Sequence, residues 1–364
     1  MSDPAFETPA LASTVERMRP GVTVDDLEPI ERGSNAVYRV SGSGTDVERM
    51  VLKLGTETPD RVDVEAAVLG LLRDRTTLPV PEPIGTLTAA ESPVDVPCLL
   101  TNLVPGETIE FRPEAIDPDR YVRLCREAGR HLGRLHRLRH FEGHGPLEVV
   151  GDELQPVREE SGESGSAPRY PDWPTFFDAV LSAQIDRVED IVDPGLLERL
   201  RAARPALSDR LDERLAVDGS SEAVLLHMDY RLGNLVIDPE NDPITAGIID
   251  WGGATAGPAA YERAHTVALL VEWPAFDVDE RRSLTVAFRE GYGATARRGE
   301  ANAEIPVRVP AYDLVARLRL LRHVEEVFAG RSPATRESWQ RRQETEVDAL
   351  LSELVDEDGG PAGH

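Results

Sequence analysis

Two short segments hold the residue types best suited to chemistry, His227-Met-Asp229-Tyr-Arg231-Leu-Gly-Asn234 and Ile248-Ile-Asp250-Trp-Gly252. An Asp, an Asn five positions on and a second Asp after a short connection each lie beside apolar runs. These are the polar groups needed to orient a hydroxyl and to hold magnesium against the phosphates of a nucleotide. Phosphoryl transfer leaves little covalent chemistry to the protein, so a few rigidly placed carboxylates and amides suffice for most of a site. The chain has no GxxxxGK[ST] pattern, which argues against a P-loop NTPase. His131, His136, His140 and His144 cluster in sequence, but without Cys or carboxylates at zinc spacing they suggest no metal centre.

The elements around these segments follow from hydrophobic periodicity. Residues 1–20 read as a short arm or helix. Ile30 to Val40 alternates as strand, turn, strand, and Arg49 to Leu54 reads as a further strand with Lys53 among apolar neighbours. Asp60 to Arg75 has Val64, Ala67, Val68, Leu71 and Leu72 on one helical face, and two more short apolar segments follow before the turn-like Pro105-Gly106. Beyond it the pattern turns mainly helical: Val122 to Leu138, Thr175 to Val188, Leu196 to Leu215, Ala260 to Leu270, Glu280 to Tyr292 and Ala311 to Phe328. Short strands at Ala223 to Leu226, Leu235 to Ile237 and Ala246 to Ile249 flank the two polar segments. The expected organisation is an arm at 1–20, a small lobe at 21–104 and a large lobe at 105–355, with a flexible acidic loop at 151–169 and a disordered tail at 356–364.

The ordered series His227-x-Asp229-x-x-x-x-Asn234, Asp250-Trp-Gly252, Leu132-Gly-Arg-Leu-His136 and Gly257-Pro258 resembles the aminoglycoside phosphotransferase-like, or choline-kinase-like, family of the protein-kinase-like fold, over about residues 25–330. The resemblance implies an α+β, bilobal fold with an antiparallel sheet in a small mixed N-lobe and a larger, mainly helical C-lobe. It implies a kinase moving the terminal phosphoryl group of ATP or GTP to a hydroxyl of a small molecule: an aminoglycoside, a choline-like amino alcohol, a sugar or a related metabolite. Asp229 would orient or deprotonate that hydroxyl, while Asn234 and Asp250 would hold Mg2+. Lys53 would contact the phosphates with Glu65 as its ion-pair partner, Asp63 and Glu57 competing for that place. Gly33, Ser34 and Asn35 would cover the phosphates, and the backbone from Thr101 to Leu103 would meet the base. Arg231 would either neutralise developing phosphoryl charge or salt-bridge the catalytic loop. His227 would support that loop, and Glu262 would anchor it or cap a nearby helix. The Tyr230-Arg231 pair departs from many antibiotic-modifying relatives and weakens a resistance assignment.

With 66 acidic against 40 basic residues the chain carries a formal charge of −26, and lysine is nearly absent. Such acid repels nucleic acid and anionic membranes, and it suits a salt-loving source in which salt screens self-repulsion. It would also help a cationic acceptor approach. No run of about 20 apolar residues suggests a membrane span, and the N-terminus is acidic where a secretory signal is basic, so the cytoplasm is the expected location. Cys98 and Cys125 read as core residues, as do Trp173, Trp273 and Trp339, while Phe176 and Phe177 are candidates for a substrate pocket. A monomer or a homodimer is expected. A nucleotide-binding regulator of the same fold and, behind it, a protein kinase are the competing readings.

Overall fold

The computed structural model describes the chain apart from residues 1–5, 31–34, 45–48, 139, 152, 158–169, 219–221, 239, 297–308 and 357–364. The acidic loop thus falls mostly outside the described residues, as do Gly33, Ser34 and nearly all of the tail.

The small lobe is built on one five-stranded antiparallel sheet, order β1-β2-β3-β5-β4, from β1 (Thr23–Pro29), β2 (Ala36–Ser43), β3 (Arg49–Leu54), β4 (Pro83–Leu87) and β5 (Cys98–Asn102). Alternation along the central β3 sorts its side chains. Met50, Leu52 and Leu54 are buried with Cys98 and Leu100 beneath helix α1 (Thr8–Met18), packed on Leu11 and Val15. The opposite face, carrying Lys53, is turned toward α2 (Asp60–Arg75). Helix α2 buries Val62, Val64, Val68, Leu69 and Leu72 in the core of the large lobe, so it belongs energetically to both halves.

The large lobe is mainly helical. Its long helix α3 (Pro118–Leu135) starts where Asp117 accepts from the amides of Asp119 and Arg120, with Pro118 in its first turn. Helices α4 (Trp173–Arg187), α5 (Pro194–Asp218), α6 (Ala259–Val271), α7 (Val278–Gly293), α8 (Pro310–Leu321), the short α9 (Val324–Val327) and α10 (Pro333–Asp356) follow. A capping box of Asp277 and Glu280 opens α7. Trp173, Phe177, Tyr261 and Tyr312 meet edge to face inside this lobe. Phe176, 6% exposed, and Phe177, fully buried, are therefore core residues and not pocket walls.

The periodicity reading missed helix α10 and began the first strand near Ile30 instead of Thr23, and it departs from the structure at two further places. Gly145–Val150 and Glu153–Pro156 form a hairpin, β8 and β9 after the two-residue β7 (His140–Phe141), where loop was expected. Its strands are short, with Gly151 at φ 63° in the turn, so the alternating Leu147 and Val149 were the available signal. The single helix expected from Ala311 to Phe328 is broken at Arg322 and His323. There the His323 amide reaches back three residues to Leu320 O at 3.1 Å, tightening the last turn of α8 without any Gly or Pro.

Candidate active site

The first polar segment leaves β10 (Ala223–Leu226), the second strand of a sheet ordered β7-β10-β13-β8-β9, where β13 spans Thr255–Gly257. The segment then runs into β11 (Leu235–Ile237), which pairs with β12 (Thr245–Ile248), placing Leu235 opposite Ile248. Both polar segments therefore issue from the same end of one hairpin, and the Ile249 amide donates to Asn234 O at 3.0 Å. Buried Glu127 on α3 fixes the start of β12, accepting from the amides of Ile244 and Thr245 and from the Thr245 hydroxyl, each at 3.0 Å.

The catalytic-loop candidate is clamped from several sides. His227 accepts from the Asp229 amide at Nδ1 (3.2 Å), which requires its proton on Nε2, donated to Ile249 O at 3.0 Å. Met228 sits at φ 71°, a left-handed conformation unusual outside Gly. Its amide is held by Glu262 Oε1 at 2.7 Å and its carbonyl by Arg319 on α8 at 2.6 Å. The other oxygen of Glu262 binds His136 Nε2 at 2.8 Å, so this buried carboxylate anchors the loop to α3. His131 reaches the Tyr230 hydroxyl at 2.8 Å, and burial pulls its pKa down to about 3, leaving it neutral.

Asp229 collects three donors. Arg319 donates to Oδ1, while Arg231 Nε (3.1 Å) and Asn234 Nδ2 (2.9 Å) donate to Oδ2. A carboxylate offers about four acceptor positions, so among the described residues one stays open, on the Oδ1 side. Burial would raise the Asp229 pKa, but Arg319 and then Arg231 outweigh it and hold the carboxyl below the usual range. Arg231 also pairs with Glu110, bridging the loop to the segment after β6 (Glu107–Thr108).

Lys53 and Glu65 meet at 2.5 Å, and Lys53 reaches Asp250 Oδ1 across the lobes at 2.8 Å. Glu65, not Asp63 or Glu57, is therefore the partner, and its second oxygen accepts the Trp251 amide at 3.3 Å. Burial opposes the charge on Lys53, yet Glu65 and Asp250 hold its ammonium above the ordinary value. Asp250, at φ 65° and half exposed, is held below the usual range: partial desolvation in the cleft is outweighed by Lys53. Lys53 is the only lysine of the 364 residues, so the one strand-borne ammonium in the chain stands in this cleft.

The donor set fits a hard divalent cation. Asn234 directs its Nδ2 to Asp229 O and Oδ2, both at 2.9 Å, which turns its Oδ1 away, and no donor among the described residues reaches that oxygen. Asp250 keeps Oδ2 beside its Lys53-bound Oδ1. One amide oxygen and one carboxylate, completed by substrate phosphates, suit Mg2+, which takes few protein ligands. Among the described residues no three His, Cys, Asp or Glu side chains gather as an all-protein metal centre would require.

The remaining nucleotide-side residues are placed differently. Asn35 accepts the amides of Glu57 (3.2 Å) and Thr58 (3.4 Å) and donates to the Thr58 hydroxyl (3.1 Å), so its side chain braces the segment after β3. Thr101 lies buried in β5, and the Leu103 amide just beyond it is donated to Arg49 O at 2.8 Å, so a base docking there does not find that donor. A small cleft, partly open to solvent, adjoins the catalytic loop, lined by Arg231, Leu232 and Gly233 with Phe111, Leu269, Trp273, Leu320, His323 and Val327. Sequence reasoning missed Arg319, Glu110 and Glu127. The signal for Arg319 was a leucine-rich helix interrupted by Arg317, Arg319 and Arg322, where an all-round apolar helix implies buried arginines.

A bilobal fold with a lysine–glutamate pair facing two acidic segments defines the protein-kinase-like class. The sequence profile of the phosphotransferase enzyme family (APH) matches residues 26–303, and the chain belongs to that family. Its chemistry is the transfer of a phosphoryl group from a nucleotide to a hydroxyl of a small molecule. A solved protein of Ralstonia eutropha JMP134 assigned to the aminoglycoside phosphotransferases superposes with a TM-score of 0.61 at 15% identity, covering 96% of this chain and 99% of its own. An amicoumacin kinase solved with AMP-PNP and Ca2+ gives 0.58 at 11% identity, covering 94% of each chain. A microcompartment-associated aminopropanol kinase gives 0.56 at 19% identity, covering 92% of this chain and 93% of its own. At these identities the superpositions establish the fold. No curated protein sequence matches the chain. Among the described residues no helix is long and apolar enough to cross a membrane.

Proposed function

We propose that the protein is a magnesium-dependent kinase that moves the terminal phosphoryl group of ATP or GTP to a hydroxyl of a small metabolite. The observation that carries this reading is the convergence of Lys53–Glu65 from the small lobe with Asp250, Asn234 and Asp229 from one hairpin of the large lobe. Asn234 Oδ1 and Asp250 would hold Mg2+, which supplies charge neutralisation between the phosphates. Lys53 would pair with phosphate oxygens, its direction set by Glu65. The open position on Asp229 Oδ1 would receive the acceptor hydroxyl. A depressed pKa makes Asp229 a weak base in the ground state, so its main work would be to orient the hydroxyl, taking the proton late along a loose transition state. Arg231 would brace Asp229 and stand beside the transferred group. The aminopropanol and amicoumacin kinases among the superposed structures keep amino alcohols and natural-product hydroxyls among the acceptor classes to be tried.

The decisive comparison is Asp229→Asn against the parent, with Mg-nucleotide binding measured alongside transfer across aminoglycosides, amino alcohols, sugars and hydroxy acids. The reading expects transfer to fall about 10³-fold while nucleotide affinity stays within a few-fold. Transfer that survives the substitution sinks it. Tight Mg-nucleotide binding by a parent that phosphorylates no acceptor would instead favour a regulator that reads nucleotide.

A further inference from the structure

The surroundings of Asp229 are rich in arginine, in a protein whose formal charge is −26. Three guanidinium groups, Arg319, Arg187 and Arg231, lie within electrostatic reach of a fourth, that of Arg322. Two carboxylates answer them: Asp229, bound by Arg231 and Arg319, and Glu110, bound by Arg231. Arg322 has no carboxylate partner among the described residues. Its Nε donates instead to His323 Nε2 at 2.8 Å, and His323 lines the cleft beside the catalytic loop. That bond requires His323 to be neutral with its proton on Nδ1.

The break between α8 and α9 puts Arg322 and His323 side by side at this point. Arg322 is half-buried, and burial, then Arg319 and Arg187, pull its pKa down to about 10. A guanidinium held among other guanidiniums is costly, and with 66 acidic residues in the chain a neutralising neighbour was the simpler arrangement. The arrangement is complete once an anion joins it.

We infer that the acceptor is itself an anion: a small hydroxylated compound whose carboxylate or phosphate pairs with Arg322 while its apolar body lies against Phe111, Trp273 and Leu320. Its hydroxyl would then reach Asp229, a clause that rests on the kinase reading above. Guanidinium recognises both oxyanions through paired N–H donors. A polycationic aminoglycoside would have to set ammonium groups against these arginines, so the acid of the rest of the surface does not choose the acceptor.

Two measurements on the full chain separate this inference from the kinase reading. In the first, needing no turnover, NMR titration compares benzoate and phenylphosphate with benzamide and phenol, in the parent, Arg322→Gln and Arg322→Lys. The expected result is that at least one anion binds tenfold or more tighter than its neutral counterpart. Arg322→Gln should abolish that advantage and Arg322→Lys keep part of it, with neutral-probe affinities within about twofold as the control for folding. Preference for phenylphosphate over benzoate, or the reverse, identifies which oxyanion is read. Equal binding of charged and neutral probes, or an anion advantage that survives Arg322→Gln, overturns the inference. In the second, transfer is assayed on hydroxy acids and phosphorylated alcohols, their uncharged amides and alcohols, and aminoglycosides. Turnover confined to anions, with KM raised at least tenfold in Arg322→Gln, supports it. Efficient transfer to cations, unchanged in that variant, overturns it and leaves the kinase reading standing. An anion-selective site in a protein whose nucleotide turnover is untouched by Asp229→Asn overturns the kinase reading alone.

Discussion

Asp229 shows how a carboxylate can be held ionised in a half-buried place. Two arginines from different parts of the chain saturate three of its acceptor positions together with Asn234, and the stronger, Arg319, comes from 90 residues away. Replacing Arg319 by Gln removes the largest favourable partner, so the carboxyl climbs toward its unperturbed value of about 3.9, with Arg231 and His227 left to oppose burial. The sign is fixed: the ionised form is the working one, and activity is lost as pH falls through its pKa. In the parent, Asp229 therefore limits kcat/KM only below about pH 4, and in Arg319→Gln the acid limb moves to higher pH. A drop on the order of 10²-fold should accompany it at neutral pH, because the Met228 carbonyl loses its clamp as well. A pH–rate profile checks this, and an unmoved acid limb would remove Asp229 from the titrating role. Folding stability follows the same direction, since a depressed carboxyl contributes above its unfolded pKa and that contribution is lost as pH falls through the folded one. Asp229, Asn234 and Asp250 were read in the sequence from two short motifs, and the Lys53–Glu65 pair from the family resemblance. Arg319 and Glu110 were not legible, because a partner brought in by tertiary folding leaves no local spacing to read.

At the scale of elements, the site depends on two helices that touch backbone to backbone. A Cβ on Gly129 of α3 would lie 2.0 Å from Phe288 O of α7, and one on Gly291 of α7 would lie 2.0 Å from Arg126 O of α3. No rotamer relieves a clash with backbone, so Gly129→Ala must push the helices apart. Helix α3 carries Glu127 and His131, and His136 caps its end; these hold β12, Tyr230 and Glu262. The substitution should cost about 3 kcal/mol, read as a lower urea midpoint, with activity falling in step as the catalytic loop loses its support. A midpoint unchanged within error would show that the close approach is not needed. Periodicity located α2 and α3 to within a few residues because each buries one clear stripe. It ran α8 and α9 together because Arg322 and His323 break the helix through hydrogen-bond geometry, which hydrophobic spacing does not record.

At the scale of the whole molecule the charge is the dominant unpaired quantity. Exposed pairs such as Arg39 with Glu28 contribute at most about 1 kcal/mol each and weaken in salt. Repulsion within a charge of −26 is longer-ranged and is screened as the Debye length shortens from about 10 Å at 0.1 M to about 3 Å at 1 M. Screening of repulsion therefore wins, and the thermal midpoint should rise by several degrees between 0.1 and 1 M KCl. A midpoint that falls would mean that the ion pairs carry more stability than the net charge removes. Composition alone carries this expectation, because net charge does not depend on how the chain folds. The local reversal of sign around Arg322 does depend on it, since folding is what gathers the arginines.

The scarcity of lysine has a practical consequence. An endoprotease that recognises lysine has a single bond to cut, Lys53–Leu54 in the central strand of the small lobe, giving fragments 1–53 and 54–364. An amine-acylating reagent likewise finds one side chain in the whole polypeptide, 17% exposed and pinned between Glu65 and Asp250. Reagents that elsewhere report on a protein's entire surface report here on the state of one cleft, with the chain's α-amine as their internal reference.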